Sequence, residues 1–202
     1  MHSSRAPPAA KGERTPYAVR LAQDGANIIA LDICADIASM DYPNSSADDL
    51  AETVRLVEAT GARIVATQAD VRDFVAVERA FQAGVSAFGR VDIIIANAGI
   101  IRLSPSLDPL TEWRDVIDVN LTGVFHTIHA SLPTMIGGGR GGSIVITSST
   151  AGIKATGTDK LGAQAYSAAK RGLVGYAQTL RSTSHRAPSG STRSTPPVSP
   201  PA

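Results

Sequence analysis

The sequence predicts an α/β fold built on a parallel sheet. Short blocks rich in Val, Ile and Ala recur along the chain, separated by longer stretches with helical spacing of apolar residues. One block, residues 91–96, is apolar almost throughout, as expected of a parallel strand covered on both faces. The 202 residues suffice for one sizeable domain. A net charge of +1 provides no basic field to recruit nucleic acid or a membrane surface. The single cysteine, Cys34, excludes an internal disulfide and fits a reducing, cytoplasmic setting. The polar N-terminus has no signal-peptide core, and no apolar run is long enough to span a bilayer.

Taken in order, residues 1–14 carry no strand-like run and read as disordered. Residues 15–24 form an amphipathic helix with Pro16 in its first turn and Gly25 closing it. Residues 27–32 are a buried strand ending in Asp32, whose carboxylate suits either a turn cap or the ribose hydroxyls of a dinucleotide. A long loop at 34–44, punctuated by Tyr42-Pro43, precedes a helix at 46–59. The next strand, 63–69, leads into Asp70-Val71; Asp70 is a candidate cap for the helix that follows from Asp73. After the 91–96 strand, Asn97-Ala98-Gly99 makes a sharp break where glycine permits close backbone approach.

A long helix follows at 111–135, with an apolar stripe of Trp113, Val116, Ile117, Leu121, Val124, Phe125 and Ile128. Asn120 interrupts that stripe, so it serves as a structural bridge or as part of a polar site. His126 and His129 stand at i, i+3 with no third clustered ligand, which favours a surface or interface role over a metal site. Glycines at 137–142 lead into the 143–147 strand and Ser149, and the 150–164 stretch reads as a loop. On the helix from Tyr166 to about residue 180, Tyr166 and Lys170 share one face. A neighbouring ammonium stabilises phenolate and moves a tyrosine toward use as a general acid/base. From residue 182 to the end the composition turns to Ser, Thr, Pro and Arg and reads as a disordered tail.

The Tyr166-Ser167-Ala168-Ala169-Lys170 stretch, Ser149 after a strand and the Asn97-Ala98-Gly99 turn together resemble the short-chain dehydrogenase/reductase family, over roughly residues 18–181. The loop at 34–44 is most similar to the actinobacterial branch related to carveol dehydrogenase. The resemblance implies a Rossmann-like doubly wound sheet, with residues 15–181 as the domain. It implies an NAD-dependent oxidoreductase interconverting a secondary alcohol and a ketone, with Asn120, Ser149, Tyr166 and Lys170 as the catalytic set. It also implies cofactor contacts at Gly12, Asp32, Asp70, Val71, Asn97, Ala98, Gly99, Tyr166 and Lys170. In that frame Asp32 disfavours the 2′-phosphate of NADP, Asn120 completes a proton relay, and the 111–135 and 163–180 helices carry a homo-oligomer.

The family opens with an apolar strand running into Thr-Gly-x-x-x-Gly-x-Gly, a loop whose backbone cradles pyrophosphate. Alignment puts Pro8, Gly12 and Arg14 at the three glycine positions, so only Gly12 survives, and no strand precedes it. The C-terminal strand region of the family is likewise replaced by Pro/Ser/Arg-rich sequence, as out-of-frame reading of GC-rich DNA would produce. The expectation is therefore a sheet without its first, central strand and without its C-terminal strands. The alternative function is a catalytically inactive family member that acts as an interaction or dimerisation partner.

Overall fold

Side-chain caps fix where three of the helices begin. A computed structural model describes residues 14–105, 108–154 and 157–184. Helix α1 spans Arg14–Gln23 and leads through Gly25 to strand β1, Ile28–Asp32. Helix α2, Ala47–Glu58, starts with a capping box in which Ser46 Oγ accepts from Asp49 N while Asp49 accepts from Ser46 N. Strand β2, Ile64–Gln68, is followed by α3, Phe74–Phe88, whose cap is Asp73, accepting from Val75 N and Ala76 N. Asp70 is thus not the cap of that helix. After strand β3, Ile93–Ala96, helix α4 runs Pro109–Ile117 with Asp108 as its cap and Pro109 in the first turn, where a missing N–H does no harm.

A widened π turn, Asp118–Thr122, joins α4 to α5, Gly123–Gly137, so the long helix expected at 111–135 begins earlier and is interrupted at Asn120. Strand β4 covers Ser143–Ile146, a 3-10 turn covers Thr150–Gly152, and α6 covers Leu161–Ser184. The loop expected to reach residue 164 therefore ends at Lys160. The helix also continues past residue 181, the expected domain boundary. Arg14 and residues 182–184, expected to belong to disordered ends, are helical, while residues 1–13 and 185–202, with the expectations placed on Gly12 and on the rest of both ends, lie outside the described residues.

Among the described residues the strands form two separate parallel pairs. β1 pairs with β2 in the register Ile28↔Ile64 to Asp32↔Gln68, and β3 pairs with β4 from Ile93↔Ser143 to Ala96↔Ile146. This is the separation expected of a doubly wound sheet whose central strand is not supplied. One face of β1–β2 packs Ile28, Ala30 and Ile64 against Ala22 of α1 and Val57 of α2, while α3 contacts the same pair of strands. On β3–β4, Ile94, Ala96, Ile144 and Ile146 meet Val124, Ile128 and Met135 of α5 and Leu173 of α6.

The opposite face of β3–β4 is open, with Ile93 43% and Val145 46% exposed, so the expectation of two covered faces fails there. Trp113 and Phe125, 40% and 42% exposed, also leave the expected stripe. At helical spacing both are displaced around the axis from Val116, Val124 and Ile128, which hold the buried line.

A third cluster joins the halves. Ile37 and Met40 from the long loop pack with Val71, Ile100, Val116, Val119 and Ala165. That loop is tied further by Ser39 Oγ, which donates to Asp115 Oδ2 at 2.5 Å, and by Arg102 Nη1, which donates to Ser39 O at 2.8 Å. Ile37→Ala should cost about 2–5 kcal/mol, as for other buried large-to-small changes. Urea denaturation measures this; a loss below about 0.5 kcal/mol, typical of surface sites, would show that the loop is not part of the folded core.

Candidate functional site

The chain leaves β3 through Asn97-Ala98-Gly99, and the next residues are gripped by Asn120. Asn120 is fully buried; its Oδ1 accepts from Ile100 N at 3.2 Å, and its Nδ2 donates to Ile100 O and Val116 O, both at 2.8 Å. Of the two readings left open for this residue, its side-chain hydrogen bonds are those of a bridge. It sits in the π turn, a distortion that recurs at functional sites. A Cβ built on Gly99 would lie 2.8 Å from Asn120 Oδ1 and 3.6 Å from Lys170 Nζ, so the glycine is what lets these polar groups crowd the turn.

Lys170 is 2% exposed and donates from Nζ to Thr147 O at 2.7 Å. Thr147 Oγ1 in turn donates to Asn97 Oδ1 at 2.7 Å, locking the ends of β3 and β4 together. The Lys170 ammonium stands 5.5 Å from the centre of the Tyr166 ring, on the same face of α6. Ser149 caps the 3-10 turn after β4, its Oγ accepting from Ala151 N at 3.2 Å. The turn is pressed onto α6 at Gly152, where a Cβ would fall 2.6 Å from Lys170 O, and Arg171 Nη1 donates to Gly152 O at 3.1 Å. Asn97, Gly99, Asn120, Ser149, Tyr166 and Lys170 are thus linked through β3, β4 and α6.

The other sequence-derived residues lie around β1 and β2. Asp32 Oδ1 accepts from Cys34 N at 2.8 Å, the turn-cap use, and Cys34 takes a left-handed φ of 49°. Asp70 accepts from Arg72 N at 2.9 Å and from its guanidinium at 2.6 and 2.8 Å. Arg72 Nη1 also donates to Asp115 Oδ1 at 2.6 Å, which connects this end to α4. Val71 O receives a bond from His126 Nδ1 at 2.8 Å. His129 stacks on Phe125 with ring centres 5.1 Å apart. A cleft lined by Ile146, Ser148, Leu173 and Arg181 lies farther along α6 and includes none of the four catalytic candidates.

Sequence reasoning missed Tyr42, Ser39, Arg72, Arg102 and Asp115. Tyr42 Oη accepts from Ile101 N at 3.1 Å, although Tyr42-Pro43 reads only as loop punctuation. The unusual loop length was the one signal that this segment had work to do.

Parallel strands wrapped by helices, with polar groups gathered at the carboxyl ends of β3 and β4, define an open α/β protein of the class that takes ligands at that edge. The chain belongs to the short-chain dehydrogenase family, whose model matches residues 15–187. It is 54% identical over 180 residues to an uncharacterized oxidoreductase of Mycobacterium tuberculosis, covering 89% of this chain and 64% of that protein. It is 42% identical over 175 residues to the (-)-trans-carveol dehydrogenase of Rhodococcus erythropolis, covering 85% of this chain and 61% of that one. Among solved structures, carveol dehydrogenase from Mycobacterium avium in complex with NAD superposes with a TM-score of 0.77 at 46% identity, covering 88% of this chain and 63% of that one. The chain therefore spans a little under two thirds of the length of these relatives.

Burial alone would raise the pKa of Asp70, but the bonds from Arg72 outweigh it and hold the carboxyl below its ordinary value. A depressed folded pKa stabilises the fold above the unfolded value of about 4 and loses that contribution as pH falls through the folded one. Asp70→Asn should therefore lose less stability than wild type between about pH 6 and pH 3. Urea midpoints across that range test this, and identical acid slopes would refute it.

Proposed function

We propose that this chain is an NAD-dependent oxidoreductase that interconverts a secondary alcohol and a ketone. The observation that carries the reading is the crowding of Gly99, Asn120 and Lys170 beside Tyr166 at the carboxyl ends of β3 and β4. A Cβ at Gly99 would fill this space, and nothing in packing alone calls for a buried ammonium there. When bound, the nicotinamide supplies or accepts the hydride. Lys170 and Tyr166 would hold its ribose, Asp32 the adenine ribose, and Asp70 with Val71 the adenine; Asn97, Ala98 and Gly99 would lie along it. The pyrophosphate cradle, to which Gly12 belongs, is not among the described residues.

The chain's own residues then divide the work. Tyr166 holds or takes the proton at the substrate oxygen. Ser149, whose oxygen already accepts a backbone bond, donates its hydrogen to the same substrate oxygen. Lys170 places positive charge beside the phenol ring. Asn120 fixes Ile100 and through it the Gly99 turn, and completes the unit from which the proton is relayed. Asp32 opposes a 2′-phosphate and favours NAD over NADP. Support comes from the NAD-dependent oxidoreductase of M. tuberculosis strain H37Rv, 47% identical over 176 residues, and from the NAD complex of the M. avium relative. A cytoplasmic setting is part of the reading, consistent with Cys34 being the single cysteine of the sequence. Among the described residues no helix is long and apolar enough to cross a membrane.

Titration of the purified chain with NAD+ and with NADP+ tests the cofactor assignment, with tighter binding of NAD+ expected. Tyr166→Phe should lower alcohol oxidation by about 10²–10⁴-fold, the usual worth of a positioned acid/base. Retention of full activity by that variant would overturn the assignment of Tyr166.

A second reading, an interaction partner without catalysis, is favoured by the aromatic face of α5 and α6. Phe125 lies with its ring centre 6.2 Å from Tyr176 and stacks on His129, and it is 42% exposed. We assign this face to self-association in either reading. Phe125→Asp should shift the chain toward monomer in sedimentation experiments, because a carboxylate cannot be buried there unpaired; an unchanged mass would exclude this face as the contact.

A further inference from the structure

Tyr42 has a hydrogen that neither packing nor the proposed chemistry uses. It is half-buried near the end of the β1–α2 loop, and its ring packs on the cluster that also carries Tyr166 and Ile100. Its hydroxyl oxygen accepts from Ile101 N at 3.1 Å, while Asn120 holds both polar groups of Ile100. Loop and π turn therefore grip successive residues of the segment that leaves Gly99. A phenol offers one hydrogen and two lone pairs. The Ile101 amide takes a lone pair, and the hydrogen finds no acceptor among the described residues.

Burial raises the pKa of Tyr42, the Ile101 bond opposes this, and charge on Asp41 or Tyr166 raises it again. Tyr42 thus stays a neutral donor, within electrostatic reach of the Tyr166 phenol.

We propose that Tyr42 is a ligand-contacting residue of the Tyr166 site, a second phenol that donates its hydrogen to a hydroxyl oxygen of the bound molecule. The inference rests on the proposed function for the chemistry of that molecule. Two sources supply such an oxygen, a ribose hydroxyl of the nicotinamide nucleotide and the alcohol of the substrate. Both belong at the strand ends where Tyr42 meets Ile101.

The test uses the full chain carrying 13Cζ-labelled tyrosine, titrated with NAD+ and then with cyclohexanol in the presence of NAD+. Tyr17→Phe, Tyr166→Phe and Tyr176→Phe assign the other three resonances, so the Tyr42 signal follows by elimination even if its own variant folds poorly. The expected result is a Tyr42 signal that moves as ligand binds. Movement with NAD+ alone identifies the ribose as the source, and movement only after cyclohexanol identifies the substrate. Tyr42→Phe, which keeps the ring, should weaken the corresponding binding or Michaelis constant about three- to tenfold, the worth of one neutral hydrogen bond. A Tyr42 signal that stays fixed through both the NAD+ and the cyclohexanol additions while Tyr166 responds, or a Tyr42→Phe chain with unaltered constants, overturns the inference and leaves the proposed function standing. Failure of NAD+ to bind at all overturns both.

Discussion

Two parallel strand pairs that share no hydrogen-bond ladder must be joined by side chains, and the structure depends on how this is done. In an open sheet the ladder itself supplies the continuity, bond after bond. Here β1–β2 and β3–β4 are joined by the cluster around Val116, Val119, Val71 and Ile100, into which the loop after β1 inserts Ile37 and Met40. The Arg72 guanidinium adds a polar link, held by Asp70 on one side and Asp115 on the other. The loop and α4 do this joining at the carboxyl edge of the strands. That edge is also where the candidate site lies.

That coincidence gives the site its rigidity. Asn120, Thr147, Asn97 and Lys170 satisfy one another or the nearby backbone without needing a ligand. A polar network whose members bond one another and the backbone holds its geometry, which is what a preorganised site requires. Arg102 and Glu112 are the exception. Arg102 Nε stands 3.6 Å from the buried Glu112 carboxylate, which accepts no hydrogen bond from the described residues, while the other guanidinium nitrogens donate to Ser39 O and Pro105 O. An ion pair in that state offers weak net stabilisation. Its larger effect is to hold loop, strand exit and helix in one register.

The sequence made the architecture legible wherever a local signal existed. Strand runs, Asp and Ser caps and glycine breaks placed β1 through β4 and most helix starts within a few residues. The Tyr166–Lys170 spacing and the position of Asn120 on a buried stripe pointed to the same end of the sheet. The failures have a common cause. The exposure of Ile93, Val145, Trp113 and Phe125 is decided by which neighbours are present, and an apolar run carries no record of that. The π turn at Asn120 and the early start of α6 at Leu161 likewise have no counterpart in the apolar spacing of the sequence. The Arg72–Asp115–Ser39 link joins residues 39, 72 and 115, and no periodicity can announce such a meeting.

The buried lysine separates a site from a scaffold. An ammonium at 2% exposure is held out of water and donates to the Thr147 carbonyl at the β4 exit, where an apolar side chain of similar length would need no polar partner. A chain selected only to hold helices against strands would fill that position with such a side chain. Retaining the charge makes sense where it faces a neighbour, and the Tyr166 ring, its centre 5.5 Å from the ammonium, is the neighbour that the proposed function uses. The fully buried asparagine beside it obeys the same logic, since a leucine would pack the stripe better but would release Ile100 and the Gly99 turn. Two buried polar residues, one ordering the glycine turn and the other standing beside a tyrosine, are what the proposed chemistry at the strand ends asks for.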